Sequence, residues 1–311
     1  MLRSIRIFLF FIISFTFVHM SWACEICGCV LSRPDQQFNN RRWFVEYVVE
    51  QQNWHKRDVS YAFDLGQSGH DTYDKTTEDF HHYLVGARMG EKIIMTGEVP
   101  YIVRRGLNVE DLDHLGDHQQ SQGWGDTRLT GEYDFIKEHN QTIGLLTGVK
   151  FPTGSTEEKD VDGNIFEPEM QPGSGSYDYL WGGVYHQTWN RWMLSTNAVY
   201  TLKTTGAADF RFGNSFATTA DLDYLINPAN QKIRIKPGIQ LNYTHEAHQF
   251  DHDEKVEDSG GDTIFLGPIL SLDISKHSSL FASFQSPLSQ HTGGVHQELD
   301  FQWNAGGKIG W

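Results

Sequence analysis

Three cysteines near the start of the chain are the residues whose types and spacing first suggest chemistry. Cys24, Cys27 and Cys29 stand in the order Cys-Glu-Ile-Cys-Gly-Cys, and the sequence holds no other cysteine. Thiolates at this spacing are soft ligands that suit Zn(II) or Cu(I). Two of the thiols could instead form a disulfide in an oxidising compartment, or Cys24 could carry a lipid at a new N-terminus. The spacing leaves all three interpretations open.

Histidine is the second residue type that could bind a metal, and the chain holds 15 of them. His245 and His248 lie three residues apart, and His252 follows among acidic side chains. Imidazole and carboxylate groups are ligands for Zn and Cu, so this segment is a candidate metal-collecting loop. Solvated loops also collect His, Asp and Glu without binding metal. The sequence requires no cofactor; Zn or Cu at the three cysteines is the candidate.

The first residues of the chain have the pattern of an export signal. Arg3 and Arg6 precede an apolar run from Ile7 to Val18, and Ser21-Trp22-Ala23 follows. A basic start, an apolar core and small residues at a cleavage site are typical of a signal peptide. The apolar run is shorter than the roughly 20 residues of a membrane-spanning helix. We therefore predict that residues 1–23 are removed on export.

The last strand of the chain alternates without a break, and it indicates where the mature protein resides. Alternation places one set of side chains on one face of a strand and the other set on the opposite face. A lipid-facing strand with an aromatic anchor explains this pattern, although an edge strand of a soluble sandwich would also alternate. The apolar set is Phe301, Trp303, Ala305, Gly307, Ile309 and Trp311.

Segments of similar character recur along the chain and define the predicted fold class. Five short connections alternate with six long ones, as an up-and-down barrel with periplasmic termini requires. We predict an all-β transmembrane antiparallel barrel of about twelve strands, with short periplasmic turns and long extracellular loops. Pro237 and Pro268 weaken the ninth and tenth strands. The predicted strands are 42–52, 80–90, 92–104, 124–137, 141–152, 176–189, 191–204, 213–226, 232–246, 263–275, 278–286 and 298–311.

Three parts of the chain follow from this prediction. Residues 1–23 are the signal peptide, residues 24–41 are a periplasmic cysteine-containing segment or plug, and residues 42–311 are the barrel. The expected location is the outer membrane of a Gram-negative cell. The formal net charge of −15 argues against a nucleic-acid partner, which needs clustered Lys and Arg.

Charged residues in the predicted strands are expected to face the lumen, because isolated charge facing lipid is costly. They are either a paired network that fills a narrow interior or a polar track for a solute. Open aqueous pores have more strands than twelve, so we expect a constriction, narrowed by folded-in loops or by the segment from Cys24 to Arg41. The candidates for the lumen and its selectivity are Glu46, Arg88, Glu98, Arg104, Asp126, Arg128, Glu132, Lys150, Asp178, Lys203, Asp221, Arg234 and Lys236.

A stretch of about 70 residues resembles a known family. It contains Gly123-Trp-Gly-Asp126, then Gly144-Leu-Leu-Thr-Gly-Val-Lys-Phe-Pro-Thr-Gly154, then Pro172-Gly-Ser-Gly-Ser176, and it continues to Trp189. This pattern resembles the outer-membrane barrel family named for the meta-pathway of phenol degradation. The resemblance implies the barrel fold and transport of a small hydrophobic or aromatic solute. The cysteine-rich start departs from the family pattern.

The predicted function is passive passage of a small solute, either a hydrophobic or aromatic compound or a metal ion. Its expected partners are outer-membrane lipid, the solute, and the barrel-assembly machinery, which would engage the strand ending at Trp311. One alternative is a metal-binding barrel without an open pore, with Cys24, Cys27 and Cys29 as ligands.

A second alternative is an outer-membrane hydrolase, which needs a His base within reach of a Ser. Ser289 and His291 fall in a predicted loop rather than on a lipid-facing strand, so we expect no enzyme.

Overall fold

The structure is a computed structural model that describes residues 42–56, 75–107, 118–227, 233–257, 259–292 and 297–311. The predicted signal peptide, the segment of residues 24–41 and the three cysteines lie outside the described residues. Among the described residues, no helix is long and apolar enough to cross a lipid bilayer.

Twelve antiparallel strands form one closed barrel, which confirms the predicted fold class. Each strand pairs with the next along the chain, and the first strand pairs with both the second and the last. The strands are β1 (Trp43–Lys56), β2 (Lys75–Met89), β3 (Ile93–Leu107), β4 (His118–Trp124 and Thr127–Lys137), β5 (Gln141–Phe151), β6 (Asp178–Trp189), β7 (Trp192–Leu202), β8 (Ser215–Tyr224), β9 (Arg234–Glu246), β10 (Gly261–Ser275), β11 (Ser278–Thr292) and β12 (Gln297–Gly310).

Several strands extend further than predicted at the end of the barrel away from the termini. The predicted loop 287–297 is wrong for most of its length, because β11 continues to Thr292 and β12 begins at Gln297. The second strand begins at Lys75 rather than at residue 80, and the fourth begins at His118 rather than at 124. These segments are polar and lack the apolar alternation of a lipid-facing strand. They still pair through cross-strand hydrogen bonds, so the strands continue beyond the outer surface of the membrane.

The two strands that contain an inner proline both continue past it, although one ladder is locally interrupted. Pro237 lies opposite Leu270, and Pro268 lies opposite Ile239. Each proline lacks a backbone donor, and the ladder between β10 and β11 skips Gly267 and Pro268, whereas the pairing of β9 with β10 is continuous past both prolines.

The two faces of the barrel wall differ as the alternation predicts. Leu145 is 61% exposed and Ile239 is 56% exposed on the outside, whereas Lys236 is 4% exposed on the inside. The outer wall therefore presents an apolar band to lipid. Aromatic side chains mark its periplasmic edge, which is where interfacial girdles belong. They are Trp43, Trp189, Trp192 and Trp311.

The interior is filled by side chains. Val48 is completely buried, and Leu146, Leu180 and Val199 form an apolar cluster on the inward face. Inward charged residues such as Glu98 are also buried. A wide aqueous channel would leave these side chains accessible to water, so the interior is a packed and narrow one.

The outer wall can be tested with one charge placed at two depths. Leu145→Arg places a charge near the middle of β5, where it should lower the free energy of unfolding by about 2–4 kcal/mol. Leu288→Arg, near the outer end of β11, should cost less than about 1 kcal/mol because it lies close to the interface. Urea unfolding in lipid vesicles, followed by tryptophan fluorescence, measures both. Equal costs would contradict the assignment of the lipid-facing band.

Candidate functional site

The connection between β5 and β6, residues 152–177, folds inward and is called the inner loop here. Phe166, Gln171, Ser174 and Ser176 in this loop are buried. The loop contacts inward-facing side chains of the barrel, namely Arg104 on β3 and Lys150 on β5. It therefore narrows the outer half of the lumen, as expected for a loop that forms a constriction.

A buried charge cluster, the clasp, fixes both ends of the inner loop. It consists of Asp126, Lys150, Ser174, Ser176 and Asp178. The Lys150 ammonium lies 2.5 Å from an Asp178 oxygen and 3.2 Å from an Asp126 oxygen. The same ammonium donates to the Ser174 hydroxyl at 2.5 Å. One cation between two buried carboxylates satisfies charges that would be costly alone in a low-dielectric interior.

Asp126 connects the clasp to the backbone of the loop. Its carboxylate accepts hydrogen bonds from the backbone N–H groups of Gly154 and Ser174, each at 2.9 Å. The Ser174 hydroxyl also donates to it at 2.7 Å. Gly154 lies near the start of the loop and Ser174 near its end, so one carboxylate holds both ends together. Asp126 can do this because it lies in the break between the two segments of β4.

Three glycines make the close approach at the base of the loop possible. A Cβ atom on Gly173 would lie 2.5 Å from the carbonyl carbon of Gly154, and a Cβ on Gly154 would lie 2.9 Å from the Cα of Gly125. Contacts this short exclude any larger residue unless the backbone moves. The segments that carry the family resemblance, 123–126, 144–154 and 172–176, are therefore the parts that meet here.

A second buried contact, the latch, holds the inner loop at Gln171. The latch consists of Glu78, Arg104 and Gln171. The Arg104 guanidinium donates to the Glu78 carboxylate at 2.5 Å and to the Gln171 carbonyl at 2.6 Å. The Gln171 side chain then bonds the backbone of Phe166 and Glu158 within the loop. Arg104 is 1% exposed, so this charge-assisted contact is shielded from water.

The predicted lumen residues all lie on the inward face, and most are paired. In the middle of the barrel, Glu98 lies 2.7 Å from His82 and 3.1 Å from Arg128. Glu132 is half-buried on the same face. The remaining pairs are Glu46 with Lys308 at 3.5 Å, Arg88 with Asp134 at 3.5 Å, Lys203 with Glu246 at 3.4 Å, Asp221 with Gln240 at 2.7 Å, Arg234 with Asp273 at 2.6 Å and Lys236 with Asp273 at 2.9 Å.

Sequence reasoning missed several partners in these pairs. Asp134 and Asp273 lie on the inward register of their strands, so strict alternation could have found them. His82, which lies beside Glu98, is likewise on the inward register of its strand. The loop residues Gln171 and Ser174 have no periodic signal, because their positions depend on how the inner loop folds back.

The predicted metal site among the outer histidines is not assembled. His245 lies 3.0 Å from Asp262 on the outer wall, and His252 lies 2.7 Å from its neighbour Asp251. Within the described part of the chain, no group of three or more His, Cys, Asp or Glu side chains could hold a metal ion. His245, His248 and His252 therefore do not converge, because the chain turns into a small hairpin after His248. The three cysteines lie outside the described residues, and metal binding there stays a prediction.

The segment with Ser289 and His291 is placed differently from the prediction. Both residues lie on β11 rather than in a loop, and the Ser289 oxygen lies 3.3 Å from Nδ1 of His291. That distance is long for a hydroxyl hydrogen bond, so the pair does not resemble a tightly held nucleophile and base.

Comparison with known proteins places the chain among outer-membrane barrels. A family model described as "Putative MetA-pathway of phenol degradation" matches residues 61–304. An outer-membrane channel from Pseudomonas putida F1 is 15% identical, with 87% of this chain and 96% of that chain covered and a TM-score of 0.62. The β domain of the Bordetella autotransporter BrkA is 10% identical, with 87% and 100% covered and a TM-score of 0.54. Comparison with curated proteins gave no match. At such identities the solved structures show a shared fold.

Removal of the clasp cation should destabilise the barrel strongly. Lys150→Met leaves Asp126 and Asp178 buried without their counter-charge, and we expect a loss of roughly 3–5 kcal/mol in the free energy of unfolding. Lys159→Met, at an exposed lysine of the same loop, should change it by less than about 0.5 kcal/mol. Urea unfolding in vesicles compares the two variants. A small effect for Lys150→Met would show that the clasp does not hold the loop.

Proposed function

The chain belongs to the family described as "Putative MetA-pathway of phenol degradation", and we propose that it is an outer-membrane channel that passes a small solute by passive diffusion. Its location is the outer membrane. The observation that carries the proposal is the inner loop, held by clasp and latch inside a closed barrel with an apolar outer wall. A barrel with a fixed internal constriction is built to select what crosses it.

The lining of the interior supports a particular class of solute. Apolar side chains such as Phe80, Leu84 and Ile102 are buried between the inward charges of β2 and β3. Among the buried residues that the structure describes, acidic side chains outnumber basic ones. A solute with an aromatic body and a neutral or cationic polar group matches both properties, whereas an anion meets repulsion. The family description, which names phenol degradation, supports an aromatic solute.

Diffusion is proposed as the mechanism because fixed pairs, rather than moving parts, line the path. Each inward carboxylate of the clasp and of the Glu98 cluster already has a cation or a hydrogen-bond donor beside it. A passing solute would exchange transiently with these partners and with water. Binding of this kind is weak at each position, which allows the solute to leave again.

Two aromatic solutes that share a hydroxyphenyl body and differ in charge test the proposed selectivity. We expect proteoliposomes to take up tyramine, a cation, faster than 4-hydroxybenzoate, an anion, after subtraction of the flux into protein-free vesicles. The acidic excess of the interior is the physical reason. Faster flux of the anion would contradict the proposed selectivity, and no protein-dependent flux of either solute would contradict the channel itself.

The latch provides a test of the constriction. Glu78→Gln with Arg104→Gln removes both buried charges together, so neither remains unpaired, and it removes the guanidinium bond to the Gln171 carbonyl. We expect a larger single-channel conductance in planar bilayers, because the inner loop is no longer held to the barrel wall at Gln171.

The neighbouring pair on the opposite face of the same strands is the matched control. Arg105 and Asp79 lie 2.5 Å apart on the outer wall, one residue along from the latch. Asp79→Asn with Arg105→Gln should leave conductance unchanged, because these side chains do not face the lumen. An unchanged conductance in the folded latch variant would contradict the role of the latch.

A further inference from the structure

A recess of about 920 Å³ lies at the periplasmic rim, outside the channel path described above. It is bounded by the turn between β2 and β3, the turn between β4 and β5, and the start of β1. The recess includes Arg88 on the inward face and Met89 on the outer wall. It therefore wraps around the lower edge of the barrel wall, where protein, lipid and periplasm meet.

The two parts of its lining have different chemistry. Trp43 and Met89 are exposed and apolar on the side that faces lipid. Arg42 and Lys92 are exposed cations at the rim, and His139 is an exposed polar residue beside them. An apolar wall beside a cationic rim is the pattern of a site for an amphipathic anion.

The inner side of the recess is fixed by internal bonds. Arg88 and Lys137 both lie near Asp134, at 3.5 and 3.7 Å. Both also donate to the backbone carbonyl of Glu91, at 2.8 and 2.7 Å. These bonds hold the β2–β3 turn in place, so the recess is a preformed feature whose exposed cations, Arg42 and Lys92, are available to an external ligand.

The charge at this rim is opposite to the charge of the molecule. Arg42, Arg88, Lys92 and Lys137 line the recess against the acids Glu91 and Glu138 and the Asp134 carboxylate behind them, which leaves one net positive charge. The whole chain, by contrast, carries a formal net charge of −15. A local cationic site in an acidic protein concentrates anions at this position.

We propose that this recess binds the phosphate diester headgroup of an anionic phospholipid in the periplasmic leaflet. Arg42 and Lys92 contact the phosphate, and the acyl chains lie along the outer wall beside Trp43 and Met89. Guanidinium and ammonium groups both bind phosphate, and the tryptophan belongs at the interface depth of a headgroup. A free phosphate ion would use the cations but would leave the apolar wall unused, so the geometry favours the lipid.

Lipid retention by the delipidated full barrel tests this site. Native mass spectrometry after addition of phosphatidylglycerol, phosphatidylethanolamine or glycerol 1-phosphate separates the possible sources of the headgroup. The wild-type protein should retain phosphatidylglycerol in preference to both others. Arg42→Gln with Lys92→Gln should weaken that binding roughly 30-fold, because each cation near an anionic headgroup contributes about 1 kcal/mol.

The control removes two cations from other turns of the same rim. Arg191→Gln with Lys276→Gln alters exposed residues outside the recess and should leave phosphatidylglycerol retention unchanged. Heat-modified mobility on gels verifies that both double variants fold. An equal loss of phosphatidylglycerol retention in both double variants would contradict a specific site in the recess, because it would indicate a general effect of rim charge. Unchanged phosphatidylglycerol retention in the Arg42/Lys92 variant would also contradict the site. So would wild-type binding of glycerol 1-phosphate as tight as that of phosphatidylglycerol.

Discussion

Closure of the sheet is the constraint on which the rest of this structure depends. Inside a bilayer no water satisfies the backbone N–H and C=O groups, so every strand must have a partner on both sides. The pairing of β1 with β12 removes the last free edges and fixes the inside and the outside of the wall. In the closed wall, every second side chain points into the barrel interior, and other side chains and loops fill that interior.

The charged interior follows from that closure. Carboxylates such as Asp126 and Asp273 cannot face lipid, and inside a narrow barrel they cannot be fully hydrated either. Asp126 therefore lies beside Lys150 and Asp273 beside Arg234, each a cation from a neighbouring strand. The clasp uses the same requirement for a second purpose, because the carboxylate that neutralises Lys150 also binds the backbone at both ends of the inner loop. Charge pairing thus both stabilises the barrel and positions the inner loop that forms its constriction.

The fold and the lumen candidates could be predicted because they depend on a period of two. Arg104 and Lys236 were found on the inward face from alternation alone, without knowledge of their partners. The outer ends of strands were predicted less well, since segments such as 75–79 and 287–292 carry no apolar stripe. The histidine cluster failed for a related reason: spacing along the chain does not determine distance where a hairpin turns the chain away.

The amino-acid sequence by itself determined the number of strands, their direction and the side of the wall on which each residue lies, because these follow from local side-chain order. Only the tertiary structure decided that Arg104 holds Gln171, that Gly125, Gly154 and Gly173 meet, and that Arg42 and Lys92 share a recess with Trp43. These contacts join residues far apart in the chain. Their geometry depends on the register of the closed sheet and on the path of a loop, which no local pattern encodes.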